Sequence, residues 1–186
     1  MISLVPGISN EEAFAPHQKT LSYGWKDSKR IVNNFEIWRL STPTFFHGNA
    51  YHIIANVVSQ LFLGNGIEYG LGLKSFIILY FVCGFGGMLL SAIMKPESFA
   101  IGASTSVFGL VGFYISYLFT NWSFMGRERP GQRVYLFIFT FLICLVNLNI
   151  GPMANGNVDN YGHYGGLITG LLMGLTIAEN YDREAR

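Results

Sequence analysis

Aspartate, glutamate, lysine and arginine are missing from five long stretches of this chain of 186 residues: 40–67, 75–94, 98–126, 134–158 and 160–178. Each approaches or exceeds the roughly 20 residues an α-helix needs to cross a bilayer. A soluble domain of this size can bury one or two such segments, but five in succession leave too little polar surface to face water. Charged residues make up only 12% of the chain, against about 25% in a soluble domain. The pattern predicts an all-α fold, a polytopic membrane helix bundle with five apparent transmembrane helices at about 50–66, 75–94, 100–121, 133–150 and 161–178.

Around those spans the chain divides into a polar, turn-rich N-terminal segment (1–49), a transmembrane domain (50–178) and a short tail (179–186). The connections are short, which favours antiparallel neighbours in one bundle. Gly151 to Asn160, with Pro152 and Gly156, reads as a loop by its turn residues. Loop 122–133 carries Arg127, Arg129 and Arg133, and the tail carries Arg183 and Arg186. The positive-inside rule therefore puts that loop and the tail in the cytoplasm. Lys19, Lys26, Lys29, Arg30 and Arg39 then lie on the opposite side, against the rule. A glycan on the sequon Asn121-Trp122-Ser123 would overturn this topology.

Several classes are excluded. The net charge of +1 is uninformative about nucleic acid, and no basic stripe with interleaved aromatics suggests it as a partner. Cys83 and Cys144 fall in apolar spans and imply no disulfide framework. Residues 1–37 lack the apolar core of a signal peptide. The expectation is an integral, multi-pass protein whose surroundings are the lipid bilayer.

Polar groups inside the spans then become informative, because they are costly there. In an antiparallel series the first, third and fifth spans run the same way, and each carries polar residues near its start. The first has His52, Asn56 and Gln60 on one helical face. The third has Ser104, two residues after Gly102, and the fifth has His163 within Gly162-His163-Tyr164-Gly165-Gly166. Glycines 162, 166, 170 and 174 bare one face of the fifth span, and Gly102, Ser106, Gly109 and Gly112 thin the third. Such faces let helix backbones approach closely. A tight crossing would bring the His163 imidazole to the Ser104 hydroxyl, which needs a base to become a nucleophile. Amide and imidazole donors of Asn56 and His52, with backbone N–H groups near Ser104, are candidates to hold an oxyanion. No Asp or Glu lies in the spans to orient the histidine, so a dyad is expected rather than a triad. His47 and His52 offer no third ligand for a metal.

These residues, in this order, resemble the rhomboid family of intramembrane serine proteases, from about Trp38 to Ala178. Trp38-Arg39 with Thr42 resembles the family's WR signature. His47 through His52 to Asn56 matches its HxxxxHxxxN pattern, and Glu68 and Gly70 resemble residues at the far end of that helix. Gly102-Ala103-Ser104 matches the catalytic GxS, and the His163 segment resembles AHxGG. The resemblance implies Ser104 as nucleophile and His163 as general base and later acid. It implies His52, Asn56 and Gly102 on the oxyanion and substrate-stabilising side, with Phe108 stacked on the histidine. The substrates would be transmembrane segments of other membrane proteins, cleaved near the outer face without metal or cofactor.

Three features depart from the family pattern. Thr105 stands where glycine is common after the nucleophile, with an expected effect on the oxyanion pocket. Gly162 stands where alanine is usual. The family core has six helices, so the first core helix is expected to be missing here. The competing readings are a catalytically inactive relative that binds transmembrane clients, and a small transporter lined by His52, Asn56 and Gln60. Taken singly, Ser104 reads as a packing residue back-bonded to its own helix.

Overall fold

In the computed structural model, residues 16–153 and 159–178 are described. Two short helices, α1 (Gln18–Leu21) and α2 (Ser28–Asn34), come first among the described residues, followed by single 3₁₀ turns at Ile37–Leu40 and Thr42–Phe45. The long elements are α3 (Ala50–Leu71), α4 (Leu73–Met94), α5 (Ser104–Thr120), α7 (Pro130–Met153) and α8 (Asn160–Ile177), with the short α6 (Trp122–Glu128) after α5. The five long helices correspond one for one to the five uncharged stretches.

Their ends follow from local chemistry. Asn49 caps α3 by accepting from the His52 N–H at 2.8 Å, and Asp159 caps α8 by accepting from the Gly162 N–H at 3.2 Å, as short polar side chains do at N-termini. Pro130 opens α7, where its missing N–H costs nothing. α3 and α4 separate at Gly72, whose φ of 81° suits only glycine.

Three boundaries differ from the sequence reading. α7 runs through Gly151 and Pro152 to Met153, because a proline near a helix end forfeits a single backbone bond. The stretch expected to be the loop 122–133 is largely helix: α6 continues α5 after a bend of 71° at Asn121. α5 itself starts at Ser104 rather than near residue 100, because Gly102 at φ 117° cannot belong to a helix. Asn121 is fully buried at the bend and its side-chain amide donates to the Tyr117 carbonyl at 3.2 Å. The sequon is thus closed to modification in the folded protein.

α5 is the axis of the bundle, buried along almost its whole length. Leu63 and Ile67 of α3, Leu79 and Cys83 of α4, and Val107, Leu110 and Val111 of α5 form the core. The outer faces of α3, α4 and α7 carry exposed apolar side chains such as Ile54, Leu61, Phe62, Ile77, Ile78, Phe81, Phe137 and Phe141, a distribution suited to lipid. By length and hydropathy α4 passes as a membrane span, with mean hydropathy 2.2, and α5 and α6 pass together. α3 and α8 are diluted by the very residues singled out above, His52, Asn56 and Gln60 in one and His163 with five glycines in the other.

α5 and α8 pack together more extensively than any other pair of described elements. The glycine faces are the reason. A side chain at Gly170 would strike the Gly109 carbonyl, and one at Gly166 the Thr105 carbonyl. Further along, the Ser116 hydroxyl donates to the Leu171 carbonyl at 2.6 Å. The contacts advance in step from 105 to 116 and from 162 to 174, so the two helices run parallel and their first turns share a level.

Candidate active site

That register carries Ser104, the first residue of α5, to His163, in the first turn of α8. His163 Nε2 lies 2.9 Å from Ser104 Oγ, a normal hydrogen-bond distance. The His163 ring is 8% exposed and lies against Phe108, with ring centroids 4.3 Å apart and planes 19° from parallel. Phe108 is one turn after Ser104 on the same helix, so one element supplies both the hydroxyl and the plate that orients its partner. His163 Nδ1 is buried with no hydrogen-bond partner among the described residues. Among the described residues, no carboxylate is bonded to the ring.

Gly102 and His52 complete the other side. A Cβ placed on Gly102 would come within 2.7 Å of His52 Cε1 and Nε2 and 3.7 Å of Ser104 Oγ. The His52 ring therefore borders the same small space as the serine hydroxyl. Position 102 must be glycine twice over, for its positive φ and for this ring. Asn56 lies one turn further along α3, buried; its Nδ2 donates to the His52 carbonyl at 2.8 Å, and its Oδ1 is buried without a partner among the described residues. The N-terminus of α5 has no side-chain cap, so its positive end is presented beside Ser104.

His47 holds this turn in a way sequence reasoning missed. Its Nε2 accepts from the Ala103 N–H at 3.3 Å, and its ring meets His52 edge to face at 5.1 Å. Burial, with His52 nearby, pushes the His47 pKa down to about 4, which keeps the accepting nitrogen free of a proton near neutral pH. One residue earlier in the turn, the Gly102 N–H donates to the Pro43 carbonyl at 2.9 Å. Two successive backbone amides of the Gly102–Ser104 turn are thus tied to the 43–47 segment. The sequence marked His47 only as the first member of the HxxxxHxxxN pattern, outside the helical face of His52, Asn56 and Gln60, with nothing to point to a backbone partner.

Thr105 lies elsewhere than expected. It is buried between α4 and α8, where a Cβ on Gly87 would lie 2.8 Å from Thr105 Cβ and one on Gly162 would lie 3.0 Å from Thr105 Cγ2. Its side chain packs against helices and faces away from the space bordered by His52 and Gly102. Trp38 is half exposed, while Arg39 is buried and donates to the carbonyls of Ser22 and Trp25, both at 3.0 Å, and to the Glu36 carboxylate. Arg39 is thus an internal tie of the N-terminal segment. Gln60 accepts from the Tyr80 hydroxyl at 2.9 Å, linking α3 to α4.

Residues 34–180 match the model of the Rhomboid domain family. RHOMBOID-like protein 4 of Arabidopsis thaliana is 36% identical over 163 residues, covering 87% of this chain and 40% of that protein. RHOMBOID-like protein 1 of the same plant is 34% identical over 151 residues, 81% of this chain and 37% of the other. Rhomboid-like protease 3 of Toxoplasma gondii is 30% identical over 162 residues, 87% of this chain and 59% of the other. The chain thus spans roughly two-fifths to three-fifths of the length of these relatives.

Proposed function

The chain belongs to the rhomboid family and is an integral membrane protein, and we propose that it is a serine endopeptidase that cleaves transmembrane segments of other membrane proteins. The observation that carries this reading is the 2.9 Å approach of Ser104 Oγ to His163 Nε2, between two side chains 59 residues apart that share no other structural need to meet. The Ser104 proton passes to His163 Nε2 as Oγ attacks the scissile carbonyl carbon. The carbonyl oxygen takes up negative charge, with His52, Asn56 and the free end of α5 as its stabilising donors. The carbon–nitrogen bond then breaks, and His163 returns the proton to the leaving amine. Water, activated by the same imidazole, hydrolyses the acyl-enzyme.

Neither nucleophile nor base is exposed on the outer surface of the bundle, and the apolar belt around them fits a substrate that arrives from lipid. The charge asymmetry of the sequence puts the site toward the non-cytoplasmic face. The test is direct. A fluorophosphonate probe should label the purified protein in detergent, with the adduct on Ser104 by peptide mass spectrometry. Ser104→Ala and His163→Ala should abolish labelling, and undiminished labelling of Ser104→Ala overturns the assignment.

A further inference from the structure

The stretch from Trp25 to Lys29 grips the loop 95–100 just ahead of the Gly102–Ser104 turn. The Trp25 indole stacks on Phe99, with centroids 4.3 Å apart. The Lys26 backbone N–H donates to the Ala100 carbonyl at 2.8 Å. Lys29 pairs with Glu97 at 3.0 Å on the surface. The Lys26 side chain lies at the centre of this grip and is 0% exposed. Its ammonium donates to the Lys95 carbonyl at 3.0 Å and to Ser98 Oγ at 3.1 Å. The Ser98 hydroxyl donates in turn to the same carbonyl at 2.9 Å, so one cation ties both ends of a tight loop.

Burying an ammonium costs stability that an apolar side chain of similar length would not cost. Burial lowers the Lys26 pKa below its ordinary value, and the Asp159 carboxylate, which caps α8, works against that shift. Asp159 Oδ2 is itself buried without a hydrogen-bond partner among the described residues. Lys26 thus acts by hydrogen bonds on the loop that delivers Ser104, and by charge on the start of the helix that delivers His163. A cation buried at a cost, bonded to the loop that leads to Ser104 and drawn by charge to the residue that caps the helix of His163, calls for a role beyond holding the fold.

We propose that Lys26 is a positioning residue for acyl transfer, whose ammonium fixes the loop 95–100, and with it the Gly102–Ser104 turn, where Ser104 meets His163. This rests on the Ser104–His163 reading above. Lys26→Met keeps the length of the side chain and removes the charge. The rate constant for fluorophosphonate labelling of Ser104 should fall about tenfold, in line with the sensitivity of reactive groups to small misplacements. The fraction finally labelled should stay at the wild-type value. A merely structural lysine would lower the melting temperature and the labelled fraction and leave the rate constant untouched, and that outcome overturns the proposal. So does labelling at the wild-type rate. Should Lys26→Met fail to fold, Ser98→Ala removes one acceptor of the ammonium; slower labelling supports the proposal and an unchanged rate overturns it. Lys19→Met, on the exposed α1, should change nothing. A wild type that does not label at Ser104 overturns the protease reading itself, which separates the two failures.

Discussion

Thr105 and Gly162 depart from the pattern the sequence resembles, and the structure makes them a single departure. A Cβ at residue 162 would lie 3.0 Å from Thr105 Cγ2 and 2.9 Å from Asp159 Oδ2, closer than carbon atoms pack. Gly162→Ala should therefore cost about 1–3 kcal/mol in overpacking, offset by about 0.5–1 kcal/mol because alanine is the better helix former. Thr105→Ser removes only the offending methyl, and on its own should cost about 1 kcal/mol for the lost burial. In the double variant the new methyl occupies the room the old one leaves. The combined loss should fall short of the sum of the two by about 1–2 kcal/mol, within the range found for residues in contact. The carboxylate tip of Asp159 can swing aside more readily than a methyl wedged between α4 and α8. Unfolding midpoints in mixed detergent–SDS micelles for the four proteins close the cycle, with the Ser104 labelling rate as a parallel readout. Losses that add to within about 0.5 kcal/mol would show that the two positions do not share this space and would refute the argument.

Two further outcomes follow from the site. Gly102→Ala forces a side chain into the left-handed region at φ 117° and against the His52 ring; it should abolish labelling of Ser104 while the protein still folds, checked by probe incorporation and circular dichroism. His47 has its pKa lowered from 6.5 to about 4 in the folded state. The unfolded chain therefore takes up a proton first as pH falls, and stability should decline between about pH 6.5 and 4 and level off below. His47→Gln, which keeps an acceptor for the Ala103 N–H without titrating, should make that limb shallower in melting curves taken from pH 7 to 4.

What was legible in the sequence is what repeats. Five uncharged stretches became five helices because exclusion of charge over some 20 residues has one structural meaning. The glycines at 162, 166, 170 and 174 predicted a close parallel neighbour because their period matches the helix, and that crossing is what brings Ser104 and His163 together. The N-terminal segment was not legible, since it is held by single bonds that leave no period: Gly102 N–H to the Pro43 carbonyl, Ala103 N–H to His47, Lys26 N–H to the Ala100 carbonyl. Turn residues misled at Gly151-Pro152, where the last turn of a long helix absorbs them, and the α5–α6 bend had no glycine or proline to announce it.

The cations of that same segment make the point more sharply. Lys19, Lys26, Lys29, Arg30 and Arg39 set themselves against the positive-inside rule when simply counted. In the fold Lys26 and Arg39 are 0% and 3% exposed and bonded to carbonyls, Lys29 faces Glu97 at 3.0 Å, and Arg30 faces Asp27 at 3.5 Å. Lys26 and Arg39 are thus internal ties of the N-terminal segment, whereas Lys29 and Arg30, with side chains 71% and 50% exposed, make surface pairs that contribute little. A count of lysine and arginine does not separate a charge that steers insertion from one that holds a loop. Lys26 and Arg39 therefore drop out of a simple count while Lys29 and Arg30 stay in it, and Arg133 of α7 is engaged in its turn, its guanidinium lying 4.6 Å over the Trp122 ring.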